Sequence, residues 1–167
     1  MTDSALGLLG VDLDNVYTSA GELPHQQGSP VRTKNGVAVL VKAGSAIPQY
    51  SLVVYSPSSA AASVSVVAFP ASLTNVSTRL FAVAQTSIAK DSYGWVHTEC
   101  EKEGRILCNT AETGVPLYLL GSGGQVDDAV TSGKALQNLW ILASVAASLS
   151  APPAIWRNIA LDRNQLA

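Results

Sequence analysis

Charge is scarce in this sequence, and its scarcity restricts what the protein can bind. Charged residues make up 13% of the 167 residues, about half the share usual in globular proteins, and the formal net charge is −2. The ten basic residues are scattered singly, so no basic patch for nucleic acid is expected. A weakly charged surface with many small side chains can be buried against a partner at low desolvation cost, although a domain with many Ser/Thr-rich loops would have the same composition.

Long apolar runs are also missing. The longest such stretch, Leu139–Ala151, is too short for a membrane span and contains Ser144, Ser148 and Ser150. The N-terminus lacks a basic region followed by an apolar run, and it carries Asp3, so no signal peptide is predicted. We therefore expect no membrane partner.

The sequence has two cysteines, Cys100 and Cys108, and no second Cys/His pair that would complete a zinc site. If the chain forms a hairpin turning at Glu103–Arg105, the two cysteines would lie opposite each other, and a cross-strand disulfide would be geometrically conceivable. Two small strand residues with reduced thiols are favoured over a disulfide, since nothing in the sequence signals export.

Histidine is equally scarce, which limits acid–base chemistry. His25 lies in an irregular segment, whereas His97 is two residues from Glu99 on a predicted strand and therefore on the same face. Such a pair could transfer protons, but an ordinary polar pair on a solvent-facing strand is favoured. The sequence contains no G-x-S-x-G nucleophile motif. We predict no catalytic residues and expect that the protein is not an enzyme.

Three short motifs resemble ligand sites but lack essential parts. Asp12–Asn15 has the spaced acidic residues of a calcium loop without its glycine and distal glutamate. The adjacent pair Asp127 and Asp128 is predicted to end a turn. Gly121–Gly124 is not followed by the Lys-Ser/Thr of a phosphate-binding loop, so a hairpin loop is favoured. No metal and no cofactor are therefore predicted.

The few aromatic residues lie in or beside apolar runs. Aromatic side chains in strands usually fill the core, and this is the favoured interpretation for Trp95, Trp140, Trp156, Tyr93 and Tyr118. A carbohydrate-binding platform would instead require several of these rings in a row on the surface.

The first 35 residues are predicted to form an extended N-terminal arm. The stretch Ser19–Pro30 has two prolines, two glycines and little periodicity, which is typical of a segment ordered by a neighbour. Residues 36–167 are predicted to form a single domain. A chain of this length can bury roughly 70% of the surface exposed when it is unfolded, so it needs no metal or disulfide to fold.

The remainder of the chain has about nine or ten short apolar segments separated by turn residues. This spacing favours a mostly β fold, an antiparallel sandwich or barrel of the jelly-roll kind, with at most short helices. Val76–Val83 and Leu139–Ala147 also admit helical turns. The predicted strands are Val37–Val41, Leu52–Tyr55, Ser63–Phe69, Leu80–Ala84, Gly94–Cys100, Arg105–Asn109, Pro116–Leu120, Leu136–Val145 and Ile155–Leu161.

Four segments, in this order, resemble the capsid decoration (cement) proteins of tailed bacteriophages. Such proteins have a strand ending in an AGSAI-like turn, then an AVAQ…IA…YGWV stretch, then G-x-P-L-Y-L and a Gly-rich turn. The resemblance covers roughly residues 36–130 of this chain. It departs from the family pattern at the charged Glu101–Glu103. The four segments are Val39–Ile47, Phe81–Ala89, Tyr93–Val96 and Gly114–Leu119.

The resemblance implies a structural virion protein on the outer surface of an icosahedral phage capsid, made in the host bacterial cytoplasm. Its implied partners are the major capsid protein and further copies of itself, as a homodimer or homotrimer. Weak internal patterning makes residues 1–35 and Arg157–Ala167 candidate tethers to the shell. The alternatives are another phage structural component, such as a head fibre base or tail protein, and a non-enzymatic carbohydrate-binding β module.

Overall fold

The computed structural model describes residues 12–55, 63–65, 80–120, 123–130, 135–146 and 150–161. Their regular structure is almost entirely β-strand, since the helical part is a three-residue 3₁₀ turn at Ala20–Glu22. The ten strands are β1 (Pro30–Thr33), β2 (Gly36–Ala43), β3 (Leu52–Tyr55), β4 (Ser63–Ser65), β5 (Leu80–Ala84), β6 (Tyr93–Arg105), β7 (Leu117–Leu119), β8 (Val126–Asp127), β9 (Ala135–Ile141) and β10 (Pro153–Leu161).

All ten strands belong to one sheet, in the order β1-β2-β4-β3-β5-β6-β10-β9-β7-β8. The pairings are antiparallel except for β2 with β4, which run parallel. β2 also pairs with β6, so β2, β4, β3, β5 and β6 form a closed circuit of pairings. β6 is long enough to pair with β2 and β5 and then to continue alongside β10. The mostly β fold class predicted from the strand spacing is confirmed.

Strand β3 of the circuit is buried on both sides. In β3, Val53 and Tyr55 belong to an inner cluster shared with β2, β5 and β6, while Leu52 and Val54 belong to a larger cluster shared with β7, β9 and β10. Because successive side chains of a strand point to opposite faces, a strand covered on both sides has a continuous apolar sequence. This is why the whole of β3 is buried and apolar.

The loop between β2 and β3 has the same hydrogen-bonding pattern as the loop between β5 and β6. Ile47 and Ile88 exchange two backbone hydrogen bonds, of 2.8 and 2.9 Å. Three residues further on, Tyr50 and Asp91 have positive φ angles of 64° and 65°. Each donates its backbone N–H over 2.7 Å to the last residue of the strand that opens the other loop. The two loops are therefore related by an approximate two-fold axis between the isoleucines.

A similar pair of loops connects β6 to β7 and β9 to β10. Ala111, between β6 and β7, exchanges backbone hydrogen bonds of 3.0 and 2.8 Å with Val145, between β9 and β10. Gly114, three residues after Ala111, again has a positive φ, of 84°. Each pair of loops therefore lies between two pairs of adjacent strands. These are β2 with β6 and β3 with β5 at the first pair of loops, and β6 with β10 and β7 with β9 at the second.

The predicted hairpin at Glu103–Arg105 is wrong, because β6 continues through this segment as one 13-residue strand. Gly104 does not form a turn. It pairs with Ala154 of β10, and a Cβ atom at this position would lie 2.4 Å from the Trp156 ring. The glycine is needed for close packing.

Without that hairpin the two cysteines do not face each other; both are buried, and no disulfide joins them. The Cys100 thiol contacts the Lys102 carbonyl oxygen at 3.1 Å, and the Cys108 thiol contacts that of Ile106 at 3.5 Å. The structure thus agrees with the favoured prediction of reduced thiols.

Neither candidate helix is present in its described part. The described part of Val76–Val83 begins at Leu80 and is strand β5, and Leu139–Ala147 begins inside β9. Of the predicted strand Ser63–Phe69, residues 63–65 form β4, and the rest lies outside the described residues.

The described part of the predicted arm, residues 12–35, lies against the rest of the chain. Its side chains contribute to a third buried cluster around Trp95. The backbone of Tyr17 exchanges two hydrogen bonds of 2.8 Å with that of Tyr93, and β1 pairs with β2. Residues 1–11 lie outside the described residues.

Candidate interaction surface

His97 does not share a simple strand face with Glu99. β6 pairs Glu99 with Val37 and His97 with Ala38, so a bulge at Thr98 interrupts the two-residue alternation. His97 is buried, whereas the Glu99 side chain is half-exposed.

Each histidine contacts a buried tryptophan. The carbonyl oxygen of His97 accepts the indole N–H of Trp156 at 3.0 Å. His25 packs edge-on against Trp95, with ring centroids 5.9 Å apart. Within the described residues, neither ring belongs to a group of three or more His, Cys, Asp or Glu side chains that could hold a metal ion.

The acidic pair Asp127 and Asp128 connects two loops. Asp127 is buried, and its carboxylate accepts hydrogen bonds from Asn109 Nδ2 at 2.8 Å and from the Ala129 N–H at 3.0 Å. The Thr110 hydroxyl lies 2.7 Å from Asp127 Oδ1 and 2.9 Å from Asp128 Oδ1. Burial alone would raise the pKa of Asp127, but these hydrogen bonds hold it below its ordinary value.

Contacts within the protein also explain the other two short motifs, one contact being local and the other distant in sequence. Asp12 accepts the backbone N–H of Asp14 at 3.0 Å, as in an Asx turn. Gly124 has a φ of +68°, and a Cβ there would lie 2.5 Å from the Leu52 carbonyl oxygen. Among the described residues, no group of three or more His, Cys, Asp or Glu is placed to hold a metal ion.

The three tryptophans have different environments. Trp95 and Trp156 are buried, as predicted, but Trp140 is 53% exposed, so the core assignment of Trp140 is wrong. Leu142 beside it is 55% exposed. The sequence could not reveal this, because an uninterrupted apolar segment gives no alternation from which the outer face can be identified. With two indoles buried, the row of exposed rings required by a carbohydrate platform is not formed.

Trp140 lies at the centre of an apolar area on the outer face of β9 and β10. It is directly opposite Ile155 in the register of the two strands. Leu142 donates its backbone N–H to the carbonyl oxygen of Pro153 at 2.8 Å, which brings those residues side by side. We call the outward side chains of Trp140, Leu142, Pro153 and Ile155 the Trp140 face.

A polar cleft of about 440 Å³ adjoins this face across β10. Its lining comes from β1, β2 and the turn between them, from β6 and from β10. We call it the Arg32 cleft. Its polar and charged side chains are those of Arg32, Thr33, Lys34, Glu99, Glu101, Arg157 and Asn158.

Two polar contacts hold the β6 and β10 sides of the cleft together. Arg157 forms an ion pair with Glu101 at 2.7 Å, and Asn158 Nδ2 donates to Glu99 Oε1 at 2.7 Å. Asn158 has a positive φ of 48° and lies where the register of β10 against β9 shifts. The bulge directs this side chain towards β6. Because Arg157 and Glu101 are largely exposed, their pair adds little to stability.

Comparison with known proteins gives no further assignment. No protein-family model, no curated protein and no solved structure matches the chain. None of the described helical segments is long and apolar enough to cross a membrane. The fold and the surface thus define a β-sheet protein with an exposed tryptophan face beside a charged cleft.

Proposed function

We propose that this chain is a structural protein of a bacteriophage virion, which decorates and stabilises an icosahedral capsid by bridging neighbouring major capsid proteins. Two things support the proposal. Four sequence segments resemble capsid decoration proteins, and Trp140 is exposed at the centre of an apolar face. Large aromatic side chains in this position are typical of residues that carry much of the energy of a protein interface.

The proposed action is mechanical. A protein that contacts two neighbouring capsomers opposes their separation, and each further contact forms intramolecularly once the first has formed. Many copies, each with a modest interface, would then give a large total stabilisation. Association of the chain as a homodimer or homotrimer would multiply the contacts each assembly makes with the shell.

The described ends of the chain suit this role less well than the Trp140 face does. Residues 12–35 pack against β2 and β6, and Arg157–Leu161 form the last part of β10. Both segments therefore already pair with or pack against the protein's own sheet. We therefore place the principal capsid contact on the Trp140 face.

Counting copies in purified virions tests the proposal against another structural role in the phage. Quantitative mass spectrometry with an isotope-labelled standard, scaled to the major capsid protein, gives the number of chains per particle. A decoration protein is expected at hundreds of copies, as its sites recur over the whole shell. A few copies to some dozens would instead identify a tail part or the base of a head fibre, and no copies would end the proposal.

A further inference from the structure

We propose that the Trp140 face and the Arg32 cleft together bind one extended protein segment, which has apolar side chains at one end and carboxylates at the other. The inference rests on the proposed function, because it states what the partner protein presents to this chain. The two surfaces meet on β10, where Ile155 belongs to the face and Arg157 lines the cleft. Buried Trp156 lies between them in sequence, so both side chains project from the outer side of the strand.

The apolar end of the partner belongs on the Trp140 face. More than half of the surface of Trp140 and of Leu142 is in contact with solvent, and the two are on the same side of the chain because they are two residues apart. Ile155, opposite Trp140 in the neighbouring strand, is half-buried. Covering such a group of side chains removes apolar area from water, which favours association.

The acidic end belongs in the Arg32 cleft. Glu101 forms an ion pair with Arg157, and Glu99 accepts a hydrogen bond from the neutral Asn158 amide, so Glu99 keeps its charge. Within the described part of the chain, no carboxylate pairs with Arg32 or Lys34. The three cations of the cleft, Arg32, Lys34 and Arg157, outnumber its two carboxylates, so the cleft has an excess of one positive charge, although the whole chain has a net charge of −2. Carboxylates complement it.

The sheet sets the length of the partner segment. From the face to the far wall of the cleft, the strands are β9, β10, β6, β2 and β1, each paired with the next. Four spacings of about 4.8 Å make roughly 19 Å, which an extended chain covers in about six residues. The segment must cross the strands, with the apolar and acidic groups separated by about this length.

Charge favours a partner of this kind over a second copy of the chain. In a two-fold contact, each copy would present the same free cations to the other, so Arg32 and Lys34 would meet no surplus of carboxylates. A nucleic acid would satisfy the cations but would leave Trp140 and Leu142 in contact with water or with phosphates. An acidic segment with an apolar end satisfies both parts of the surface.

The test uses short peptides and the full-length, ¹⁵N-labelled protein. The probe is an acetylated and amidated peptide of two leucines, four alternating serines and glycines, and two glutamates. The Trp140 indole N–H resonance, assigned with Trp140→Phe, is expected to shift in a saturable manner, while those of Trp95 and Trp156 stay in place. A peptide with lysines for the glutamates, and one with serines for the leucines, should each bind at least about tenfold more weakly.

Protein variants then separate the two ends of the surface. The double variant Arg32→Glu with Lys34→Glu should weaken binding of the glutamate peptide by about tenfold or more, and Trp140→Ser, followed by the backbone amide resonances of Leu142 and Arg157, should abolish it. Lys90→Glu is the matched control, because this lysine is exposed but does not line the cleft, and it should bind as the wild type does. Unchanged Trp95 and Trp156 resonances show that each variant is folded.

Several outcomes would overturn the inference. They are the absence of any Trp140 shift, equal binding of the lysine and glutamate peptides, a Trp140 shift that follows the protein concentration in the absence of peptide, and displacement of the peptide by an oligonucleotide. The peptide experiment is independent of capsids. A protein found in virions that ignores the peptide refutes this inference alone, whereas one that binds the peptide but is missing from virions refutes the proposed function.

Discussion

Trp156 donates its indole N–H to the carbonyl oxygen of His97 at 3.0 Å, and its side chain is 1% exposed. The bond joins β10 to β6, and Trp156 belongs to the largest buried cluster of the described residues. Trp140, on the neighbouring strand β9, is in the opposite situation, with 53% of its surface exposed. Substitution of Trp156 is therefore expected to reduce the stability of the fold, whereas substitution of Trp140 is expected to affect binding at the surface.

Trp156→Phe is expected to lower the free energy of unfolding by about 2–4 kcal/mol, because it removes a buried hydrogen bond and leaves a cavity. Trp140→Phe should change it by less than about 0.5 kcal/mol, as expected for an exposed position. Urea unfolding followed by circular dichroism measures both. Equal losses for the two variants would contradict the environments described above.

Gly36 is expected to be one of the least replaceable residues of the sheet. It has a φ of +148°, and a Cβ there would lie 2.1 Å from the Glu99 carbonyl oxygen, in the backbone of the paired strand. Gly36→Ala should therefore cost about 2–4 kcal/mol, since strain and overpacking add. Gly21→Ala is the control, because its Cβ would approach nothing closer than 3.7 Å. A Gly36→Ala protein as stable as Gly21→Ala in urea would show that β2 and β6 are not so closely paired.

Asp127→Asn is expected to destabilise the protein in a pH-dependent manner. The hydrogen bonds that lower the pKa of Asp127 favour the folded state while the carboxylate is ionised. This contribution is fully present above the ordinary pKa of about 3.8 and is lost as the pH falls through the lower folded-state value. An asparagine at this position would also replace one acceptor oxygen with an NH2 group, which would face a donor such as Asn109 Nδ2.

We expect a loss of about 1–3 kcal/mol at pH 7 that becomes smaller below about pH 4. Urea unfolding at pH 7 and pH 3 gives the comparison, with Asp128→Asn as the control for removal of a neighbouring charge. A difference between Asp127→Asn and wild type that is the same at both pH values would contradict the assigned ionisation.

Both thiols are expected to be inert in the folded protein. Burial first, and the negative charges of Asp127 and Asp128 second, raise the pKa of Cys108 to about 12, so its reactive thiolate is negligible at pH 8. Cys100 is buried as well. Iodoacetamide at pH 8 should add no group to the native protein and two groups to the protein in urea. Intact mass spectrometry reads the result, and rapid labelling of the native protein would indicate that the cluster around Trp156 opens readily.

Much of the fold could be predicted because the apolar segments end at residues that interrupt strands. The predicted bounds of β3, Leu52–Tyr55, and of β5, Leu80–Ala84, are those of the structure. Gly104 misled the prediction because glycine serves turns and close packing alike, and its role is decided by Trp156, distant in sequence. The closure of β2 onto β6 is likewise a long-range pairing that local patterns do not contain.

The exposed positions of the Trp140 face were the part of the structure least predictable from the sequence. The run Leu139–Leu142 contains apolar residues only, so the inward and outward positions look the same until the rest of the largest buried cluster packs against one face of the strand. The repeated loops did leave a signal. Ser45-Ala-Ile47 and Thr86-Ser-Ile88 each place a small polar residue two positions before the isoleucine that forms the bridge.

The proposed decoration of a capsid is tested most directly by adding the purified protein back to mature capsids that lack it. Occupancy is measured by cosedimentation, and capsid stability by the temperature at which the shells release their contents. We expect saturable binding at hundreds of sites with a higher release temperature, and loss of both with Trp140→Ser but not with Lys90→Glu. Capsids that bind no protein, or bind it without any gain in heat resistance, would contradict the proposed function.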